Sequence, residues 1–222
     1  MQKLKVGVLV SGSGTNLQAL IDGVKKGFLP CEIAVVISNK KEAFALKRAE
    51  AESIPAFFVN EKEFCNNLEF EKRMVEILKN FQVELVVLAG FLKVLSPYFV
   101  SEFTNKIINI HPSLIPSFCG KGYYGIKVHE AVINYGVKIT GATVHFVDEG
   151  TDTGPIILQK AVPVFDDDTP EVLAERVKRV EHEILPLAVK LFAEKRLIIE
   201  NRRVKIKGGL SDGEKASNYL GI

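Results

Sequence analysis

Apolar runs of strand length alternate along the chain with stretches of helical periodicity: Leu4–Val10, Leu17–Lys26, Glu32–Ile37, Ala43–Ser53 and Ala56–Val59 follow in that order. This rhythm predicts βαβ units around a parallel sheet, because a strand rejoins its sheet in the same direction only through a crossover, usually a helix. A helical pattern covers Glu61–Phe81. Glu84–Ala89 then reads ELVVLA, the nearly unbroken apolar run expected of a strand covered on both faces. Ile107–Ile110 predicts another buried strand. Beyond it Pro112, Pro116, Gly120, Gly122 and Gly125 punctuate a loop before the helical Lys127–Tyr135. Ile139–Val147 and Pro155–Val164 read as β-rich segments. Thr169–Lys195 is the longest amphipathic stretch, opened by Thr169 as N-cap and Pro170 in the first turn. The tail LIIENRRVKIKGG alternates enough for a small hairpin and then turns polar. The expected fold class is α/β, a doubly wound and mostly parallel sheet with a Rossmann-like N-terminal half.

Composition narrows the function classes. At 222 residues and 47% hydrophobic, the chain can bury the core of one domain. Its net charge is +2, from 29 basic and 27 acidic residues, so no global field points to nucleic acid or to an anionic membrane. The opening MQKLKVGVLVSGSGTN reaches glycine too soon for a signal segment or a membrane span, which leads to a cytoplasmic expectation. Cys31, Cys65 and Cys119 are far apart and without CxxC spacing, so neither a disulfide framework nor a zinc site is expected.

Three segments carry candidate chemistry. Ser11-Gly12-Ser13-Gly14-Thr15-Asn16 joins the first strand to the first helix, where small residues admit a ligand to the backbone and free N–H groups favour an anion. It lacks the Gly-Lys-Ser/Thr of a Walker loop, and Leu17 stands where GxGxxG needs its third glycine, so a single phosphate fits better than a dinucleotide. The bland reading is a tight turn capped by Thr15 or Asn16. Asn109-Ile110-His111-Pro112-Ser113 ends a buried strand, where open α/β sheets gather ligands; alternation puts Asn109 and His111 on one side. An amide can hold a carbonyl oxygen, and an imidazole can donate to an oxyanion or move a proton. The competing reading is a histidine that caps a strand end. Asp148-Glu149-Gly150-Thr151-Asp152-Thr153-Gly154 lacks the pattern of an EF-hand loop and would ordinarily be a solvated turn, unless Asp152 meets His111. For His129, on a helix, surface exposure is expected; for His145, inside a strand, packing or one hydrogen bond suffices. The charge-rich Arg176–Glu183 would ordinarily be a solvated helix face.

Taken together, SGSGTNLQALI, ISNK, VVLAGFLKVLSP, INIHPSLIPSF, GATVHFVDEGTDTGPIILQ and ERVKRVEHEILP resemble the successive signatures of the glycinamide ribonucleotide formyltransferase family, across residues 4–200. Asn-x-His-Pro-Ser-Leu with the later aspartate also occurs in methionyl-tRNA formyltransferase and formyltetrahydrofolate deformylase. Those families carry further domains, which are not expected in a chain of this length.

The resemblance implies transfer of the formyl group of 10-formyltetrahydrofolate, as co-substrate, to the amine of glycinamide ribonucleotide, by direct attack through a tetrahedral intermediate and without a metal. Asn109, His111 and Asp152 would be the catalytic trio, with His111 protonated. Gly14, Thr15 and Asn16 would hold the ribose phosphate, and Lys178, Arg179, Val180 and Glu181 the glycinamide and ribose end. Leu92, Lys93, Val94 and Leu95 would line the folate pocket with Asn109 and the loop Asp148, Glu149, Gly150, Thr151 and Asp152. Asn67 stands near the folate tail where the family often has arginine, and Lys93 where some members do. One domain over 1–222 is expected: 1–105 holding phosphate, 106–200 catalytic and folate-binding, and 201–222 a tail. Small-molecule substrates are the expected partners, without nucleic acid or membrane and with a homodimer left open. The rivals are a formyltetrahydrofolate hydrolase and a non-catalytic nucleotide-binding module.

Overall fold

β1 (Leu4–Val10), β2 (Cys31–Ser38), β3 (Ala56–Phe58), β4 (Leu85–Leu88) and β5 (Ile107–His111) run parallel in the order β3-β2-β1-β4-β5. In this computed structural model, which describes residues 3–211, they form the first of two compact units, comprising residues 3–109 and 147–149. Met1, Gln2 and the polar end of the tail, residues 212–222, lie outside the described residues. Val8 pairs with Val36 on one side and Val87 on the other, and all three are fully buried, as the unbroken apolar runs require. The helices are α1 (Thr15–Lys25), α2 (Phe44–Ala51), α3 (Asn67–Asn80) and α4 (Pro97–Glu102). Leu9, Ile37, Phe70, Leu78, Val86 and Phe99 belong to one buried cluster. The chain builds β2 and β3 on one side of β1, then returns to place β4 and β5 on the other. The strand order therefore reverses between β1 and β4, where the loops beyond the carboxyl ends of an open sheet form a crevice for ligands.

The second unit, residues 110–146 and 150–211, continues from the end of β5. It contains α5 (Ile126–Tyr135), β6 (Ile139–Phe146), β7 (Ile156–Pro163), α6 (Pro170–Ala193), β8 (Leu197–Glu200) and β9 (Arg203–Ile206). The strand order is β6-β7-β9-β8; β7 meets β9 in parallel, while β6–β7 and β8–β9 are antiparallel. α6 packs on β6 and β7 and buries Leu173, Val177, Ile184, Leu185 and Ala188. Thr169 caps it, its side chain accepting from Val172 N at 3.3 Å, with Pro170 in the first turn.

Two departures from the sequence reading have local causes. The helix expected over Glu61–Phe81 is a short 3-10 turn at Glu61–Glu63 followed by α3. Asn66 breaks it: its side chain accepts from Glu69 N at 3.0 Å, so it caps α3 and cannot continue a helix through itself. α4 was not anticipated, because six residues are too few to show a helical period.

Candidate active site

His111 ends β5 and is 4% exposed; Ile110 beside it is buried, and Asn109 on the same strand is half-buried. The imidazole Nε2 lies 2.9 Å from the carbonyl oxygen of Phe118. A carbonyl only accepts, so Nε2 carries the hydrogen. Nδ1 then faces Oδ2 of Asp152 at 3.5 Å. That separation suits a neutral ring, whose bare Nδ1 has no hydrogen to offer the carboxylate.

Asp152 arrives on the β6–β7 loop with φ 57°, a left-handed conformation that Asp tolerates better than most side chains. Oδ2 also accepts from Gly120 N at 2.9 Å. Oδ1 faces Nε2 of His145 at 3.7 Å, and His145 uses Nδ1 at 2.7 Å from the carbonyl of Phe146. One carboxylate thus stands between two buried imidazoles, all within the second unit. Burial raises the Asp152 pKa, but His145, His111 and the Gly120 N–H together outweigh it and hold the carboxyl below its ordinary value. Burial also dominates at His111 and pushes its pKa below the ordinary value; Asp152 and the Phe118 carbonyl raise it only part of the way back. Desolvation of the buried ring thus favours its neutral form in the resting protein.

The loop that carries His111 into α5 is fastened from beneath. Thr143 Oγ1, fully buried on β6, donates to the Ser113 carbonyl at 2.6 Å and accepts from Ile115 N at 3.1 Å and from Gln159 Nε2 at 2.9 Å. Ser113 Oγ donates to the Ser117 carbonyl at 2.6 Å. Cys119 Sγ reaches the Pro116 carbonyl at 3.3 Å, and burial with Asp152 nearby pushes its thiol up, away from the thiolate a nucleophile needs.

In the first unit, Gly14 is the N-cap residue of α1 at φ 70°, with no side-chain cap hydrogen bond. Neither Thr15 nor Asn16 serves as the cap. Arg48 holds the loop from α2, its Nε donating to the Ser13 carbonyl at 2.8 Å and its Nη1 to Gln18 Oε1 at 3.0 Å. An anion at this helix start would meet backbone N–H groups and the positive end of the helix.

The formyl transferase family profile matches residues 4–189. The phosphoribosylglycinamide formyltransferase of Haemophilus influenzae is 42% identical over 92% of this chain and 94% of its own length. The chain belongs to the phosphoribosylglycinamide formyltransferase family. Glycinamide ribonucleotide transformylase 1 of Symbiobacterium toebii superposes with a TM-score of 0.88 at 44% identity, over 92% of this chain and 94% of that one. The trifunctional purine biosynthetic protein adenosine-3 of Gallus gallus is 47% identical over 86% of this chain, which spans only 18% of that protein's length.

Family membership implies a folate-type formyl donor and gives the remaining expected site residues a context. Leu92 and Val94 are exposed apolar side chains on the loop between β4 and α4, the kind of surface a flat heteroaromatic ring covers. Leu95 turns its side chain into the core, so what it can offer is backbone. Lys93 pairs with Glu61 and lies over the Phe70 ring, 5.1 Å from its centroid. Asn67, the first residue of α3, donates to Glu71 Oε1 at 3.2 Å. Asp148 is half-buried, Glu149 and Gly150 are exposed, and Thr151 is half-buried. On α6, Lys178 pairs with Glu175, Arg179 is exposed, Val180 is buried and Glu181 is half-buried. The geometry therefore joins His111 and Asp152 directly and distributes the other expected residues over both units.

Sequence reasoning undervalued two histidines. His129, expected at the surface, is 4% exposed on the face of α5 that also buries Val128 and Val132. His145 is a partner of Asp152 as well as a strand residue. No sequence signal marked it: His145 lies two residues beyond Thr143 on β6, and only the structure shows that Thr143 supports the His111 loop and that His145 faces Asp152. Among the described residues no helix is long and apolar enough to cross a membrane, and no group of three or more His, Cys, Asp and Glu is placed to hold a metal ion.

Proposed function

We propose that this chain transfers the formyl group of 10-formyltetrahydrofolate to the amine of glycinamide ribonucleotide, a step of purine biosynthesis, with the cytoplasm as its compartment. The observation that carries the reading is the pairing of buried His111, at the end of β5, with Asp152 of the β6–β7 loop, within a chain of this family. All 222 residues serve as one formyltransferase domain. Residues 1–105 hold the ribose phosphate through Gly14, Thr15 and Asn16, and 106–200 supply the catalytic trio and much of the folate contact. Lys178, Arg179, Val180 and Glu181 attend the glycinamide end. Leu92, Lys93, Val94, Leu95 and the Asp148–Asp152 segment hold the folate.

The amine attacks the formyl carbon directly, giving a tetrahedral intermediate, and the bond to the folate nitrogen then breaks. Charge gathers on the formyl oxygen, and two donors suit it: the Asn109 amide and Nε2–H of His111, each worth about 3–4 kcal/mol when well aimed. The imidazole can donate while neutral, once it gives up the Phe118 carbonyl. Asp152 stabilises the imidazolium whenever the ring takes a proton, so the pair eases proton movement, through water, from the attacking amine to the departing nitrogen. The test is a formyl-transfer assay with purified chain and both substrates. Formylated ribonucleotide is the expected product; formate release without an acceptor would identify a hydrolase instead.

A further inference from the structure

The loop assigned above to the folate, Leu92–Leu95, is fastened at both ends by buried side chains that the reaction does not use. At its start, Ser11 Oγ accepts from Leu92 N at 2.9 Å and donates to Asn39 Oδ1 at 2.7 Å, while Ser11 N donates to the Gly90 carbonyl at 3.0 Å. Ser11 follows β1 and Gly90 follows β4, so these bonds tie the two loops across the point where the strand order reverses. At the loop's end, the Glu71 carboxyl group, fully buried on α3, accepts from Ser96 N at 2.9 Å through Oε1 and from Ser96 Oγ through Oε2. The partners shown for Glu71 are Ser96 and Asn67, both neutral donors. A buried carboxyl group held only by neutral donors is costly relative to an apolar side chain. What it secures is Ser96, the N-cap position of α4 and the end of the folate loop.

Between these two pins Leu95 is anchored in the core, whereas Leu92 and Val94 are 59% and 63% exposed. An unanchored loop with two such side chains would fold them inward or fluctuate. Here the backbone is fixed first and the apolar groups are held outward, as a platform ready for a ring to settle on. We propose that Ser11 and Glu71 are positioning residues for the formyl donor: they preform the Leu92–Leu95 platform, so that ordering the loop is not charged against folate binding. Asn67 acts through Glu71 in the same role. The proposal rests on the assignment of this loop to the folate.

The test is calorimetric titration of the wild-type chain, Ser11→Ala, Glu71→Leu and Glu71→Gln with tetrahydrofolate, which carries no transferable carbon, and separately with glycinamide ribonucleotide. Circular dichroism checks the fold of each variant. Ser11→Ala and Glu71→Leu are expected to weaken tetrahydrofolate roughly 5- to 10-fold, as one or two net hydrogen bonds imply, and Glu71→Leu, outside the phosphate loop, should leave ribonucleotide affinity within about 2-fold. Glu71→Gln should recover most of the loss, since its amide can still accept from Ser96 N and donate to Ser96 Oγ. Folded Ser11→Ala binding tetrahydrofolate as the wild type does would overturn the proposal, as would equal losses for both ligands in Glu71→Leu. A wild-type chain that binds tetrahydrofolate but transfers no formyl removes the proposed reaction and leaves the platform standing. One that binds no folate removes both.

Discussion

A Cβ added to Gly14 would lie 2.6 Å from the Cβ of Ala45 and 2.7 Å from its Cα. The glycine at the head of α1 is thus required by the packing of α2 as well as by its own φ of 70°. Gly14→Ala should cost about 3 kcal/mol, from left-handed strain and overpacking together. In a domain of this size that is a fall in Tm of about 6–12 °C. Gly12→Ala, two residues away with nothing within 4 Å of the added Cβ, should shift stability by less than about 0.5 kcal/mol. Thermal unfolding of both variants checks the contrast. Equal Tm values would show that α2 yields to the new side chain.

The phosphate loop shows how much of this molecule was legible in its sequence. SGSGTN announced a strand-to-helix junction with small residues, and the junction is there. The reason Gly14 must be glycine was hidden, because Ala45 is distant in sequence and nothing local records the approach of α2. The βαβ rhythm gave the first unit almost element by element, since each strand and helix carries its own period. α4 and the break at Asn66 escaped because capping and short turns leave no period to read. At the candidate site, the strand that carries Asn109 and His111 was legible from its apolar run. The Asp152–His145 contact was not, being made across a loop whose course the sequence does not reveal. Glu71 is the plainest case: a glutamate on an amphipathic helix reads as solvated until its distant partner Ser96 is known.

Thr143 has its hydroxyl fully used, donating once and accepting twice, and it is 0% exposed. Thr143→Val keeps the shape and removes every bond, leaving Ile115 N and the Ser113 carbonyl short of a partner. A loss of about 2–4 kcal/mol is expected. Thr143→Ser keeps the hydroxyl and loses one methyl group, for about 1 kcal/mol. Urea unfolding with an unchanged m-value reads the difference. Similar losses in the two variants would mean that the methyl group, and not the network, supports the His111 loop.

Acid should destabilise the protein first through its buried histidines. Burial pushes the His129 pKa from 6.5 to about 4, helped by His111 and Lys178 nearby, and its Nδ1 is buried without a hydrogen-bond partner among the described residues. Since the folded value is depressed, the unfolded chain binds the proton more readily between pH 6.5 and about 4. Stability is full above that window and is lost as pH falls through it, by up to about 3 kcal/mol for this group. His111, also shifted down, adds in the same direction. Asp152, whose folded pKa is lowered from 3.8, contributes only below that pH. Denaturant midpoints for the wild type and His129→Leu at pH 7.5, 5.5 and 4.5 test this, the variant showing the shallower slope. Parallel slopes would place the acid sensitivity elsewhere.

The catalytic pair makes the sharpest prediction, because its two members have separable tasks. His111 supplies the donor, and Asp152 favours the charged form of the ring. Removing the donor in His111→Ala should lower turnover by about 10²–10³-fold. Asn109→Ala should lower it somewhat less, because His111 remains to hold the developing charge. Asp152→Asn retains an oxygen for the Gly120 N–H but loses the carboxylate that stabilises the imidazolium, so turnover should fall steeply while the fold survives. Both substitutions disable one event, so their effects should overlap. The His111→Ala/Asp152→Asn double variant should be little slower than His111→Ala alone. Formyl transfer at saturating substrates, with circular dichroism on each variant, decides between the outcomes. Near-wild-type turnover in His111→Ala would remove the mechanism. Fully additive losses would keep both residues at the site but dissolve their partnership.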